Sequence, residues 1–536
     1  MFSKRDFPVL IIHDELDQTT GCGRALQELI QHLDTRDMEA IKSTTADDGV
    51  AILKAHNNIS CILVDWELGK SKKSSLSSEK IIDIIRERND KVPIFVLTER
   101  HMVQDMNFEV LSQVQEYVWM MEDTPEFIAG NVSRMAMSYL ENITPPFFKE
   151  LVKYTREYKY SWHTPGHMGG LAFMKSPTGM IFYDFFGENV FRADLSVSVP
   201  ELGSLMEHAG VNGEAENEAA KNFGAERIYF VTNGTSTANK IVMHGNVTPG
   251  DVVLIDRNCH KSLQHAVTMS GAIPIYLIPS RNAFGIIGGI HENEFEESTL
   301  KKKIADSPLI KDKNVPITQA TITHSTYDGL LYNVVTIKEK LKNMVENLHF
   351  DEAWYAYAAF HPIYNNRYAM CDNHDGDNHP AIFSTQSTHK LLAAFSQASM
   401  VHVKSGRRKV DHNRFNEAFM MHTSTSPQYN IIASLDVASK MMEGAQGKAL
   451  IQDAIDEAVV FRKKMVQIDS EIRKKGDKNS WFFHVWQPKI EKISNRELEQ
   501  NPDHWVLHPG DKWHGFKGME KNSSSYCNGT SPSGKQ

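Results

Sequence analysis

Lys390 sits in Ser384-Thr-Gln-Ser-Thr-His-Lys-Leu-Leu-Ala-Ala-Phe-Ser-Gln-Ala-Ser399, behind hydroxyl-bearing and polar neighbours and ahead of an apolar, small-residue run. A lysine that is to form a Schiff base must keep its amine deprotonated enough to attack a carbonyl. Such a stretch also reads as a surface lysine beside serines, so the company it keeps elsewhere decides. Phe350-Asp-Glu-Ala-Trp354 reads as following the apolar end of a helix, and its Asp351 could pair with a protonated ring nitrogen or be a strand-end residue capping the next helix. Thr232-Asn-Gly-Thr-Ser-Thr-Ala-Asn-Lys240 is a glycine turn entering a helix. Its backbone N–H groups, with the Thr235 and Ser236 hydroxyls, could cradle a phosphate at the positive end of the helix dipole. The alternative there is an ordinary Ser/Thr cap. Asp256-Arg-Asn-Cys-His-Lys-Ser262 follows a strand pattern and offers His260 as a flat ring for stacking.

An amine, a carboxylate, a phosphate cradle and a stacking ring are together the parts that pyridoxal 5′-phosphate (PLP) requires of a protein. Other signals are weaker. His374-Asp-Gly-Asp-Asn-His379 has metal-ligand residue types but no flanking periodicity, so it reads as a solvated loop and no metal site is expected. Gly285-Ile-Ile-Gly-Gly289 has no recognised phosphate-loop spacing, and Met420-Met421 and Met441-Met442 read as core filler.

The elements that must position these residues follow from periodicity. Val9 to Ile12, Cys61 to Val64 and Pro93 to Leu97 read as buried parallel strands, with helical spacing between them over Glu79 to Arg88. Residues 1–130 are therefore expected to form a small doubly wound domain. It resembles a response-regulator receiver, with Asp14-Glu15 after the first strand, Asp65 ending a middle one and Thr98 ending the next. A receiver's lysine after the last strand is missing from Glu116-Tyr-Val-Trp-Met-Met121, which favours a structural role over phosphorylation. Lys70 to Ser78 reads as a solvated loop. Residues 131–160 read as a linker, punctuated by Pro145-Pro146. Residues 161–435 alternate strands (228–232, 251–255, 273–278, 320–323) with helices, as a large α/β domain does. Residues 436–520 begin a further region, helical over 435–475. Residues 521–536 lack apolar periodicity and are expected to be disordered.

Composition sets the class. The chain has 536 residues, 41% hydrophobic and 23% charged, enough for several globular domains. A net charge of −9 disfavours nucleic acid as a partner and suits a cationic substrate. The five scattered cysteines read as reduced thiols, and no apolar run has the length of a signal core or a membrane span, so a cytoplasmic protein is expected.

Taken in order, these motifs resemble the fold type I PLP enzymes, and more closely the bacterial ornithine/lysine/arginine decarboxylases. The resemblance extends over residues 1–520. It includes Tyr160-Ser-Trp-His-Thr-Pro-Gly-His-Met-Gly-Gly170, Phe182-Tyr-Asp-Phe-Phe-Gly187, Glu201-Leu-Gly-Ser-Leu205, Ser325-Thr-Tyr-Asp-Gly329, Met420-Met-His-Thr-Ser-Thr-Ser-Pro427 and Trp513-His-Gly-Phe516. It implies an α/β architecture: a receiver-like (flavodoxin-like) N-terminal wing, then a fold type I PLP-dependent large domain.

Position by position, the resemblance makes Lys390 the Schiff-base lysine, Asp351 the pyridinium partner and His260 the stacking ring. Thr235, Ser236, Ser387 and His389 lie against the cofactor phosphate, and Trp354 belongs to the pocket wall. Ser424 matches a hydroxyl that reaches the phosphate of a neighbouring subunit, which implies a homodimer, built into larger rings through the wing. His389 or Lys390 would protonate the substrate carbon after CO₂ leaves, consuming a proton as an acid-stress enzyme would. Ile41 to Gly49, Asp351 to Tyr355 and Pro362 to Pro380 look like arginine decarboxylase, whereas Asn233 to Lys240 and Thr385 to Met400 look like lysine decarboxylase. The expectation leans to arginine (giving agmatine), with lysine (giving cadaverine) next. Lys521 to Gln536 matches nothing in the family's pattern, so a truncated chain lacking most of its C-terminal domain is expected. A catalytically inactive assembly partner of full-length decarboxylase is the alternative that this implies.

Overall fold

Four- and five-residue strands made almost wholly of apolar side chains need cover on both faces of their sheet. The computed structural model describes residues 3–68, 76–106, 108–157, 162–196, 199–282, 285–371, 378–475, 485, 487–506 and 527–530. It divides into two units, residues 1–145 with 443–449 and residues 146–442 with 450–536.

In the first unit β1 (Val9–Ile12), β2 (Ala40–Ser43), β3 (Cys61–Asp65), β4 (Ile94–Thr98) and β5 (Glu116–Trp119) form a parallel sheet in the order β2-β1-β3-β4-β5. Alternate residues of each strand supply opposite cores. Val9, Ile11, Leu63 and Phe95 pack with Leu26 and Leu29 of the helix Gly21–Asp34 and with Ile128 and Val132 of the helix Pro125–Ile143. Leu10, Ile12, Val64 and Val96 pack with Ile81, Ile82 and Ile85 of the helix Ser78–Arg88. This is the doubly wound wing that the periodicity predicts, in flavodoxin-like strand order.

The expected linker is corrected. Residues 131–160 belong mostly to the helices Pro125–Ile143 and Pro146–Arg156, and the division between units falls between them. Pro146 opens the second helix, where the missing N–H costs nothing.

The second unit holds a seven-stranded sheet of β6 (Arg227–Val231), β7 (Val252–Asp256), β8 (Ile273–Leu277), β11 (Ile317–Thr323), β13 (Val345–Asp351), β14 (Ala381–Gln386) and β15 (Ser399–Lys404). A two-stranded ribbon, β9 (Pro279–Arg281) and β10 (Ile287–Ile290), leads from β8 towards β11. The sheet order is β6-β15-β14-β13-β11-β7-β8, with β14 to β8 parallel and both pairings of β15 antiparallel. Its two faces are buried in separate apolar clusters, one around Phe230, Phe383 and Phe419 and the other around Leu254, Ile322 and Phe350.

The helical periodicity after residue 435 resolves into two helices, Tyr429–Met441 and Gly444–Lys474, separated at Gly444 with φ +65°. The tail expected to lack structure contains β16 (Cys527–Thr530), paired antiparallel with β12 (Leu330–Tyr332). The remainder of 521–536 lies outside the described residues, as do Lys70 to Ser75 of the expected loop and His374 to Asp377 of the set-aside His/Asp motif.

Candidate active site

In an open sheet with parallel strands, ligands bind beyond the carboxyl ends of the strands. Here that edge gathers Asp351 from the end of β13, Ser387, His389 and Lys390 just past β14, and Asn258 to Lys261 just past β7. The turn after β6 adds Gly234 to Ser236. They line one cavity of about 690 Å³, so Thr235, Ser236, His260, Asp351, Trp354, Ser387, His389 and Lys390 of the expected site come together. Ser424 does not line it; its Oγ accepts the Ser426 N–H at 3.1 Å.

The turn after β6 excludes the ordinary cap. Gly234, at φ +77° and ψ 166°, is the residue that starts the helix Thr235–Asn246, and no side chain caps that end. A Cβ at Gly234 would touch nothing within 4 Å, so glycine is needed for its backbone conformation alone. The helix therefore presents uncapped N–H groups to the cavity, with Thr235 Oγ1 2.6 Å from Ser387 Oγ bracing the turn against the end of β14.

Asp351 is buried, and burial pushes its carboxyl up from the ordinary value. Opposing this, Asn239 Nδ2 donates to Oδ2 at 3.1 Å and the Ala353 N–H donates to Oδ1 at 3.1 Å. Both donors are neutral, which leaves this anion suited to a cationic ring nitrogen. Lys390 Nζ lies 4.2 Å from the centroid of Trp354, and Trp354 packs against Tyr327 at 5.1 Å. Burial lowers the Lys390 amine and Asp351 opposes that shift, so the neutral nucleophilic form becomes more accessible. His389 Nδ1 lies 2.7 Å from the Ala398 carbonyl. A carbonyl only accepts, so Nδ1 carries a proton and donates it there, which leaves Nε2 as the nitrogen able to take up and release one. His260 starts the helix Lys261–Ser270, its ring exposed and its Nδ1 accepting the Ser262 N–H at 3.2 Å.

These residues fit pyridoxal phosphate: an uncapped helix start for the phosphate, a buried anion for the ring nitrogen, an exposed ring for stacking and an amine for the aldehyde. Sequence reasoning missed the polar layer behind them. Asn239, Ser262, Thr385, His349 and Glu352 are all buried. Glu352 accepts from Ser384 Oγ, Gln386 Nε2 and the Ala369 N–H at 2.6, 2.9 and 2.6 Å, fastening β14 and the chain near residue 369 to the end of β13. The only available sign was period-2 alternation, which places His349 and Asp351 on one face of β13.

A second cavity, of about 790 Å³, lies at the carboxyl ends of the wing strands. It contains Asp14, Asp65 and Thr98, as the receiver resemblance expects, and His13, Asp14 and Asp65 offer ligand atoms within 4.8 Å of one another. No lysine is among its described lining residues.

Comparison with known proteins agrees with the geometry. Residues 145–527 match the profile described as Orn/Lys/Arg decarboxylase, major domain, and residues 22–139 match the N-terminal domain of the same family. The chain belongs to the ornithine/lysine/arginine decarboxylase family, whose members are PLP-dependent amino-acid carboxy-lyases. The lysine decarboxylase LdcA of Pseudomonas aeruginosa is 48% identical over 521 residues, 96% of this chain and 68% of that protein. The biodegradative arginine decarboxylase of Escherichia coli is 42% identical over 531 residues, 96% of this chain and 70% of that protein. The solved structure of lysine decarboxylase A from Pseudomonas aeruginosa superposes with a TM-score of 0.89 at 46% identity, covering 99% of this chain and 70% of that one. These matches correct the expectation that the chain leaves the family's pattern at Lys521, because the major-domain profile runs to residue 527. Among the described residues no helix is long and apolar enough to cross a membrane.

Proposed function

We propose that this protein decarboxylates lysine to cadaverine, with arginine as the second substrate in order of preference. The leaning to arginine is reversed by the 48% identity to a lysine decarboxylase against 42% to an arginine decarboxylase. The observation that carries the reaction is Lys390, Asp351 and the uncapped helix start at Gly234 around one cavity. When bound, pyridoxal phosphate supplies the electron sink that accepts the electron pair left as CO₂ departs.

The chain's own residues do the rest. Thr235, Ser236 and Ser387, with the N–H groups of the helix start, hold the phosphate. His389 joins them at that end of the cavity. Asp351 holds the ring nitrogen protonated. His260 and Trp354 confine the ring, and Lys390 offers its neutral amine to the aldehyde. Lys390 Nζ, or His389 through Nε2, delivers the proton to the substrate carbon, so each turnover consumes one proton. A homodimer in which Ser424 faces the neighbouring subunit's site is the assembly this reading favours.

Purified protein loaded with pyridoxal phosphate should release CO₂ from lysine faster than from arginine, and least from ornithine. Faster release from arginine would reverse the order of substrates. No release from any of the three would end the proposal.

A further inference from the structure

The structure assigns to Asn239 a positioning role: its side-chain amide, oriented by a His349–Thr385 relay, holds the ring-nitrogen partner Asp351 and the stacking residue His260 in one hydrogen-bonded unit. This inference rests on the reading of Asp351 and His260 given above and extends it to residues that do not touch the cofactor.

The amide is fully committed. Asn239 Nδ2 donates to Asp351 Oδ2 at 3.1 Å and to Ser262 Oγ at 3.0 Å, while Oδ1 accepts from Thr385 Oγ1 at 2.6 Å. Ser262 Oγ in turn lies 2.8 Å from His260 Nδ1. Every member except His260 is buried, so each group depends on these partners rather than on water.

The direction of the bonds follows from the far end. Complete burial pushes His349 down to about 3, so its ring is neutral and has one N–H. Its Nδ1 has no partner among the described residues, and its Nε2 is 2.9 Å from Thr385 Oγ1. A buried N–H without an acceptor is costlier than a buried lone pair without a donor, which places the proton on Nε2. Thr385 Oγ1 then accepts from His349 and must give its own proton to Asn239 Oδ1. That fixes the amide with its N–H₂ towards Asp351; the flipped amide would set an oxygen against a carboxylate. At the near end the Ser262 N–H can only donate, so His260 Nδ1 is an acceptor and the Ser262 hydroxyl proton points at it. The fold supplies the spacing: His349 and Asp351 are alternate residues of β13, and Asp351 pairs in register with Thr385 of β14.

The chemical consequence is a shared proton held on the ring nitrogen. Without the Asn239 donor the Asp351 carboxylate becomes a stronger base, and the proton between it and the ring moves towards the carboxylate. Protein loaded with pyridoxal phosphate labelled with ¹⁵N in the ring gives a direct readout by NMR. Wild type should show a pyridinium signal. Asn239→Ala should shift it towards neutral pyridine, with a roughly tenfold fall in the ratio of the pyridinium–carboxylate form to the form with the proton on Asp351. kcat should fall in proportion, with KM for lysine within about twofold. Thr385→Val, which keeps the shape but not the hydroxyl, should shift the signal in the same direction by less, and Thr385→Ser should restore it. An unchanged ring-nitrogen signal in cofactor-loaded Asn239→Ala overturns the inference. Should that variant fail to fold, an unchanged signal in Thr385→Val overturns it equally. A wild-type protein with no pyridinium signal at all would instead overturn the reading of Asp351 on which it rests.

Discussion

Asp351→Asn separates the account's electrostatic claim from simple structural support, because it acts in opposite directions on the empty and loaded protein. The carboxylate is 4% exposed and held by two neutral donors, the Asn239 amide and the Ala353 N–H. Removing one partner of a buried, hydrogen-bonded charge pair costs about 3–5 kcal/mol, roughly a hundred- to five-thousandfold in rate. In the loaded protein kcat on lysine should therefore fall by that range. In the empty protein the sign differs. Burial raises the folded-state pKa of Asp351 above its unfolded value. Its contribution to stability is then complete below the unfolded pKa, about 3.9, and is lost as pH rises through the folded value. Empty wild type should thus lose stability over that window relative to empty Asp351→Asn, whose side chain does not titrate. Thermal unfolding of both empty proteins across pH 4 to 8, with steady-state kinetics of the loaded ones, tests both arms. A variant with kcat within about tenfold of wild type, or empty proteins with parallel pH profiles, would refute the reasoning.

Gly234→Ala should weaken pyridoxal phosphate binding about tenfold or more, since φ +77° with ψ 166° costs a side-chain-bearing residue roughly 1–3 kcal/mol; titration of the empty protein measures it. His402→Phe should flatten the acid limb of stability. His402 is fully buried, neither ring nitrogen has a partner among the described residues, and burial pushes it down to about 3. A depressed histidine leaves the unfolded state with more bound protons between its two pKa values, so wild type should lose about 2 kcal/mol between pH 7 and pH 5 at this site, and the variant should not. Denaturant unfolding at the two pH values checks this. Lys390→Ala should bind pyridoxal phosphate without the visible absorbance of a lysine-linked cofactor and should release no measurable CO₂.

The residues that touch the cavity were legible because each stands where a periodic apolar run stops: Asp351 at the end of β13, Ser387, His389 and Lys390 after β14, Thr235 after β6. Chemistry placed beyond strand ends leaves that mark in one dimension. The supporting layer leaves none. Asn239 lies inside a helix, His349 and Thr385 lie inside strands, and only pairing in register brings them together. Pro145-Pro146 misled in another way, since proline marks a helix start as readily as a loop. β16 escaped notice because an edge pairing with β12 needs no apolar periodicity of its own. Ser424 lies outside the cavity, its Oγ accepting the Ser426 N–H, and the role given to it by resemblance would need a second subunit.

The most direct test of the central claim, that Lys390 is the amine carrying the cofactor, is borohydride reduction of the loaded protein followed by peptide mass analysis. The account predicts a single pyridoxyl-modified peptide containing Lys390, lost in Lys390→Ala. Modification at Lys261, the other lysine lining the cavity among the described residues, or at no lysine, would contradict it.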